Sequence, residues 1–220
     1  MQPRPWVRIP PPPLTDPQTL WLSRLSAMST RRWSDDNGSD RPQFAPPRPR
    51  VSVSSAGSQA RGRSFDPAIS ADGRLVAFTS VAKNLVAGDA SVRRDIFVRN
   101  RATGRTRRVS VSSTGAEANS LSLFPAISAD GRFVVFTSAA SNLVGGDTNR
   151  KYDIFLHDRA TGRTHRVSVS STGTQANNQS LWPAISADGR IVAFTSYASN
   201  LVPGDTNHTS DAFLRIRRSQ

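Results

Sequence analysis

From residue 51 onward the chain alternates short apolar runs with polar turns, and the same order of runs occurs three times. In the middle copy Ala126-Ile127-Ser128 is followed by Asp130-Gly131 and then by Phe133-Val134-Val135-Phe136-Thr137. An Asp-Gly pair between apolar runs signals a tight turn, because both positions accept a positive φ. It predicts a hairpin joining a strand A to a strand B. Strand B is apolar at successive positions, so it should be covered on both faces by neighbouring sheets. A polar loop over 139–152 leads to strand C, Asp153-Ile154-Phe155-Leu156, and Ala160-Thr161-Gly162 makes a second turn. Strand D is expected over 164–171, where Val167-Ser168-Val169-Ser170 alternates as a half-exposed outer edge would. A second polar loop, 172–181, returns to the next strand A.

The spacing between copies is 58 residues. Pro67-Ala68-Ile69-Ser70-Ala71-Asp72-Gly73-Arg74 recurs at Pro125 and at Pro183, and the first two copies agree at 36 of 58 positions without a gap. Four-stranded antiparallel units repeated in series at this length are propeller blades. The fold class expected is therefore all-β: three four-stranded antiparallel repeats forming a partial β-propeller over 50–220. A separate segment, 1–49, holds eleven of the fifteen prolines and is expected to be disordered, because proline fixes φ and removes donors. Met28 within it is an alternative start.

Pro-Ala-Ile-Ser-Ala-Asp-Gly-Arg followed by Val-Ala-Phe-Thr-Ser resembles the WD40-like (PD40) repeat of the TolB-like propeller family, over residues 51–220. Ala71, Ala129 and Ala187 stand where that family often has proline. The resemblance implies a propeller, commonly six-bladed, and a periplasmic or secreted location, although no signal peptide is visible: Arg24 and the four consecutive prolines Pro10 to Pro13 interrupt the apolar stretch around Leu20–Leu25. No run of about 18 apolar residues is present, so no membrane-spanning helix is expected.

The copies also carry an expectation about assembly. The repeats open on a lone strand D, Arg50 to Ser55, and close on a strand C, Asp211 to Ile216. Three blades are fewer than the ~4–8 of a closed ring. A homodimer in which each lone strand completes the partner's last blade would give six. A truncated relic or fragment with open edges is the alternative.

Charge and composition narrow the chemistry. The net charge is +13, with two lysines among 29 basic residues and no cysteine, which removes disulfides and thiolate chemistry. Nine arginines (Arg101, Arg105, Arg107, Arg108, Arg159, Arg163, Arg166, Arg217, Arg218) fall on or beside the C–D turns. No basic block with interleaved aromatics occurs, so a nucleic-acid partner is not expected. No phosphate-binding loop, dinucleotide fingerprint or nucleophile elbow appears. His157 and His165 stand where the first copy has Arg99 and Arg107, which reads as a solvated surface.

Binding residues are expected on the face shared by the long B–C and D–A loops, since rigid scaffolds carry function on long loops. Asn142 and Asn200, Asp147 and Asn149, and Asp205 and Asn207 are the polar candidates, although the asparagines at 142 and 200 are expected to hydrogen-bond the loop backbone in preference to a ligand. Phe124 and Trp182, at the start of strand A, are aromatic candidates for stacking on a sugar or peptide. Asp147, Asn149 and Asp153, repeated as Asp205, Asn207 and Asp211, offer the hard oxygen donors calcium prefers, yet the same residues form Asx turns. The leading expectation is a non-enzymatic TolB-like module that binds a protein or peptide and needs no cofactor. The alternatives are a calcium- or glycan-binding surface protein, a relic without independent function, and an enzyme with dispersed carboxylates.

Overall fold

The computed structural model describes residues 8–9, 49–89 and 92–217. Among them twelve strands run in chain order: β1 (Arg8–Ile9), β2 (Ser64–Ile69), β3 (Leu75–Ser80), β4 (Asp95–Asn100), β5 (Arg105–Arg108), β6 (Ser122–Ile127), β7 (Phe133–Ser138), β8 (Asp153–Asp158), β9 (Arg163–Arg166), β10 (Ser180–Ile185), β11 (Ile191–Ser196) and β12 (Asp211–Ile216). They form three four-stranded antiparallel sheets, ordered β2-β3-β4-β5, β6-β7-β8-β9 and β1-β12-β11-β10. Each is one blade; strands B and C fall where the pattern of the sequence places them, and strand A begins earlier than Ala126, at Ser122, and ends at Ile127.

The A–B turns form as the sequence demands, with one refinement. Gly131 alone takes the left-handed conformation (φ 69°). Asp130 instead closes the turn with its carboxylate, which accepts from the Ser128 hydroxyl at 2.5 Å and the Arg132 amide at 3.0 Å. Equivalent bonds occur at Asp72 and Asp188.

The blades stack through their apolar faces. Ala77, Ile96 and Val98 of the first pack with Val134, Phe136 and Phe155 of the second. Val135, Ile154 and Leu156 of the second pack with Val192, Phe194 and Phe213 of the third. Within each blade one phenylalanine of strand B stacks on its cross-strand partner in strand C, with ring centroids 5.9, 6.1 and 5.9 Å apart. Strand B of the second blade is buried at every position because neighbouring blades cover both its faces, whereas β11 of the third alternates between buried and partly exposed positions. Backbone bonds also link blades along the inner rim: Ala71 N donates to Ala129 O, and Ala129 N to Ala187 O, at 3.0 and 2.9 Å.

Three expectations need correction. First, strand D is shorter than the alternating pattern implies. The second blade's outer strand ends at Arg166, after which Val169 bridges Gln175 in a tight loop. Val167, Ser168 and Ser170 are buried because the Ser168 hydroxyl faces inward, donating to Asp153 at 2.6 Å and accepting from Ile154 N at 3.0 Å. Second, the fourth place in the third sheet is taken by β1 of the same chain, Arg8 opposite Phe213 and Ile9 opposite Ala212, the place that the homodimer expectation gives to residues 51–55 of a second copy. Val53 pairs instead with Gln59. Third, Arg8–Ile9 is a strand and not part of a disordered segment. Except for 8–9 and 49, the residues of 1–49 for which disorder is expected lie outside the described residues.

The outer edges of the first two blades are closed by serines from the preceding copy. Ser55 Oγ accepts from Thr106 N at 2.9 Å and donates to Thr106 O at 3.3 Å; Ser113 does the same at Thr164, at 3.0 and 3.3 Å. Such side-chain capping occupies groups that an exposed edge strand otherwise offers to other chains.

Candidate functional site

The long B–C and D–A loops meet, as expected, and the asparagines are the reason. Asn142 accepts from Asn119 N at 2.9 Å and donates to Glu117 O at 2.7 Å. Asn200 accepts from Asn177 N at 3.0 Å and donates to Gln175 O at 2.9 Å. Both amides thus clamp one loop to the next through backbone groups.

Inside the loops lies a charge cluster that the sequence reading did not assemble. Arg166, from β9, reaches Asp147 at 3.2 Å and Asp153 at 3.8 Å, and donates to the Gln175 side chain. Arg108, from β5, reaches Asp89 at 2.8 Å, Asp95 at 3.9 Å and Glu117 at 2.5 Å. Both guanidinium groups are largely buried. They therefore leave the basic surface to which their position beside the C–D turns assigned them. The signal was present in the periodicity: an arginine before Val-Ser-Val-Ser recurs 58 residues apart, in step with the acids at 89 and 95 and at 147 and 153.

The calcium candidates sit in this same cluster. In the first blade the oxygens of Asp89, Asp95 and Glu117 lie within 4.8 Å of one another, with the Arg108 guanidinium in ion-pair range of all three. In the second, Asn149 Nδ2 donates to Asp153 at 2.9 Å and to Ala176 O at 2.9 Å, while its oxygen accepts from Lys151 N in an Asx turn. Asn207 repeats that turn at Thr209 N and bonds Asp211 at 3.2 Å. Asp205, with Asn207, lies in the third blade's B–C loop. Any cation entering the first two blades would have to displace a guanidinium.

Burial pushes the Asp153 carboxyl up to about 6, outweighing the Ser168 hydroxyl and Arg166 charge that pull it down; Asp95 is pushed up to about 6 in the same way, against Ser110 and Arg108. A carboxyl that holds its proton more tightly when folded stabilises the fold below its unfolded value of 3.8 and loses that contribution as pH rises through about 6. Relative to Asp153→Asn, the natural chain is expected to lose about 2 kcal/mol between pH 4 and pH 7. Urea unfolding at both pH values measures this, and parallel profiles would refute it.

The aromatic candidates occupy strained positions. Phe124 and Trp182, with Asp66, have φ of 52°, 53° and 48°, at a bulge immediately before Pro125, Pro183 and Pro67. Proline in a strand is confined to edges and bulges, and here strand A is the inner edge of each sheet. Trp182 is 55% exposed, Phe124 is half-buried, and Asp66 accepts from the Thr79 hydroxyl at 3.2 Å.

The histidines divide. His165 is exposed, as expected for a solvated surface. His157 is not: it is buried, its Nδ1 lies 2.9 Å from Thr164 Oγ1, and burial lowers it to about 4. Much of the basic turn face is likewise structural, since Arg101, Arg159 and Arg217 each donate to the carbonyl of Gly73, Gly131 or Gly189 in their own blade's A–B turn.

An open groove of about 1050 Å³ lies on the long-loop rim of the second blade. Leu143, Val144 and Val169 supply its apolar lining, Gly145 and Gly146 expose backbone, and Thr148, Arg163 and His165 supply polar groups. No helix among the described residues is long and apolar enough to cross a membrane.

Three consecutive antiparallel four-stranded sheets, stacked face to face with their A strands innermost, define a β-propeller segment. No family model matches the chain, and no curated protein matches it. Similar solved structures include TolB from Acinetobacter baumannii, at 18% identity over 72% of this chain and 32% of that one, with a TM-score of 0.41. A putative TolB from Agrobacterium tumefaciens is similar at 15% identity, over 71% of this chain and 60% of that one, with a TM-score of 0.42. The propeller domain of the Trilobed protease from Pyrococcus furiosus is similar at 18% identity, over 62% and 35%, with a TM-score of 0.41. The chain thus spans less than two thirds of each of these proteins.

Proposed function

We propose that this chain is a non-enzymatic TolB-like propeller module that binds a protein or peptide segment along the long-loop rim of its second blade. The observation that supports this most is the open groove of about 1050 Å³, which joins an apolar floor to exposed glycine backbone. Extended peptides need that combination: backbone groups that supply affinity through hydrogen bonds and side-chain pockets that supply specificity. The walls are held rigid from beneath by the Asn142 clamp and the buried Arg166 cluster, so ordering them on binding costs little.

Selection of phage-displayed random heptapeptides on the full chain tests this, followed by calorimetric titration of a selected peptide. Arg163→Glu and Gly145→Trp, both at exposed positions in the groove, are expected to weaken that peptide at least tenfold. Exposed substitutions of this kind change stability by about 0.5 kcal/mol or less, so the effect reads binding. Undiminished affinity in both variants would overturn the proposal.

A further inference from the structure

The short strand β1 occupies its place with a register that repeats the other blades. Arg8 stands opposite Phe213. Arg108 stands opposite Phe97 and Arg166 opposite Phe155, the equivalent phenylalanines 58 residues apart. The next position agrees too: Ile9 lies opposite Ala212, as Val109 N bonds Ile96 O at 2.8 Å and Val167 N bonds Ile154 O at 2.7 Å. In sequence the three segments share an arginine followed by a β-branched aliphatic residue, although nothing else around Arg8 resembles the repeat. The third blade carries the same acids as its counterparts: Asp205 and Asp211 are the equivalents of Asp147 and Asp153, and of Asp89 and Asp95.

We propose that the outer edge of β12 is a strand-acceptor site selective for an extended Arg-(Ile/Val) segment, and that Arg8–Ile9 is its resident occupant. Pairing along an edge supplies the affinity through backbone bonds, and the position of the arginine supplies the selection. In the first two blades that register position places a guanidinium between two carboxylates of the B–C loop. The same acids at the same register make arginine the preferred residue on β12. The four prolines that follow Ile9 lack amide donors and cannot extend the ladder as donors, which confines the recognised unit to a few residues. A strap this short leaves few bonds to break, so the site exchanges its occupant for another strand of the same kind. This site lies on a different blade from the peptide groove and does not depend on that reading.

The test uses the full chain and its Ile9→Pro and Arg8→Glu variants. Hydrogen exchange of the segment 211–216 is expected to quicken at least tenfold in Ile9→Pro, while protection of β8 in the second blade stays unchanged and shows that the fold is intact. A synthetic peptide of residues 106–112 (Thr-Arg-Arg-Val-Ser-Val-Ser) should bind Ile9→Pro at least tenfold more tightly than the natural chain. The same peptide with Arg108→Glu should bind at least tenfold more weakly, and Arg8→Glu in the chain should open the site as Ile9→Pro does. Equal exchange of 211–216 in all three chains would overturn the resident occupant. Equal binding of the two peptides, or binding of neither, would overturn the arginine-selective site.

Discussion

Arg166→Met is expected to destabilise the second blade by about 3–5 kcal/mol, because it strands buried carboxylates without their counter-charge. Asp147 and Asp153 lie 3.2 and 3.8 Å from the guanidinium, and the methionine cannot replace either contact or the bond to Gln175. For a chain of 220 residues this corresponds to a drop in Tm of about 10 °C. Two further measurements separate lost charge from lost packing. The deficit should shrink below pH 6, where Asp153 carries its proton and needs no partner. Adding Asp147→Leu and Asp153→Asn to Arg166→Met should recover most of the stability, since a buried ion cluster replaced as a whole by matched neutral groups is often neutral. A deficit independent of pH, unrelieved in the triple variant, would show that Arg166 acts through packing alone.

Gly189→Ala should cost about 2–4 kcal/mol, and Gly73→Ala, at the same place two blades earlier, only about 1 kcal/mol. Both glycines are left-handed, with φ of 69° and 68°, so both variants bear the strain of a side chain there. They differ in what the new methyl meets. At Gly189 it would lie 2.3 Å from Cδ2 and 2.9 Å from Cε2 of Phe133, a ring packed between the second and third blades. That ring has little room to move, because the Arg217 guanidinium lies 3.8 Å from its centroid and that of Arg132 4.7 Å. At Gly73 the nearest atoms are the ends of Arg101 and Ile69, at 3.7 and 3.8 Å, in ordinary contact. Urea unfolding of the two variants side by side measures the difference, and equal losses would mean that the blade interface yields more easily than its geometry implies.

Most of the blade was legible because its determinants are close in sequence. Asp130-Gly131 marks its own turn, Phe133 to Thr137 marks a strand covered on both faces, and the 58-residue recurrence carries both to the other copies. The outer strand was read too long because Val167-Ser168-Val169-Ser170 alternates as an edge would, whereas Ser168 turns inward to a buried acid. Proline at 67, 125 and 183 was the available signal for the bulges in strand A, since a ladder cannot use its nitrogen. The site was less legible. Asn142 and Asn200 bond the loop backbone, as their residue type suggests; Asp147 and Asp153 are legible as oxygen donors, but the arginine between them reads from the sequence as part of the surface.

The repeating unit, its strand order and its turns are written locally in the chain, because hydrophobic period and turn chemistry act over a few residues. Which charges meet, and which segment completes the third sheet, is set by packing between distant parts of the chain. A guanidinium finds its carboxylates across strands, and Arg8 finds β12 from the other end of the chain. Neither pairing has a local signature, since each depends on which unpaired edge and which buried charge remain once the blades have packed.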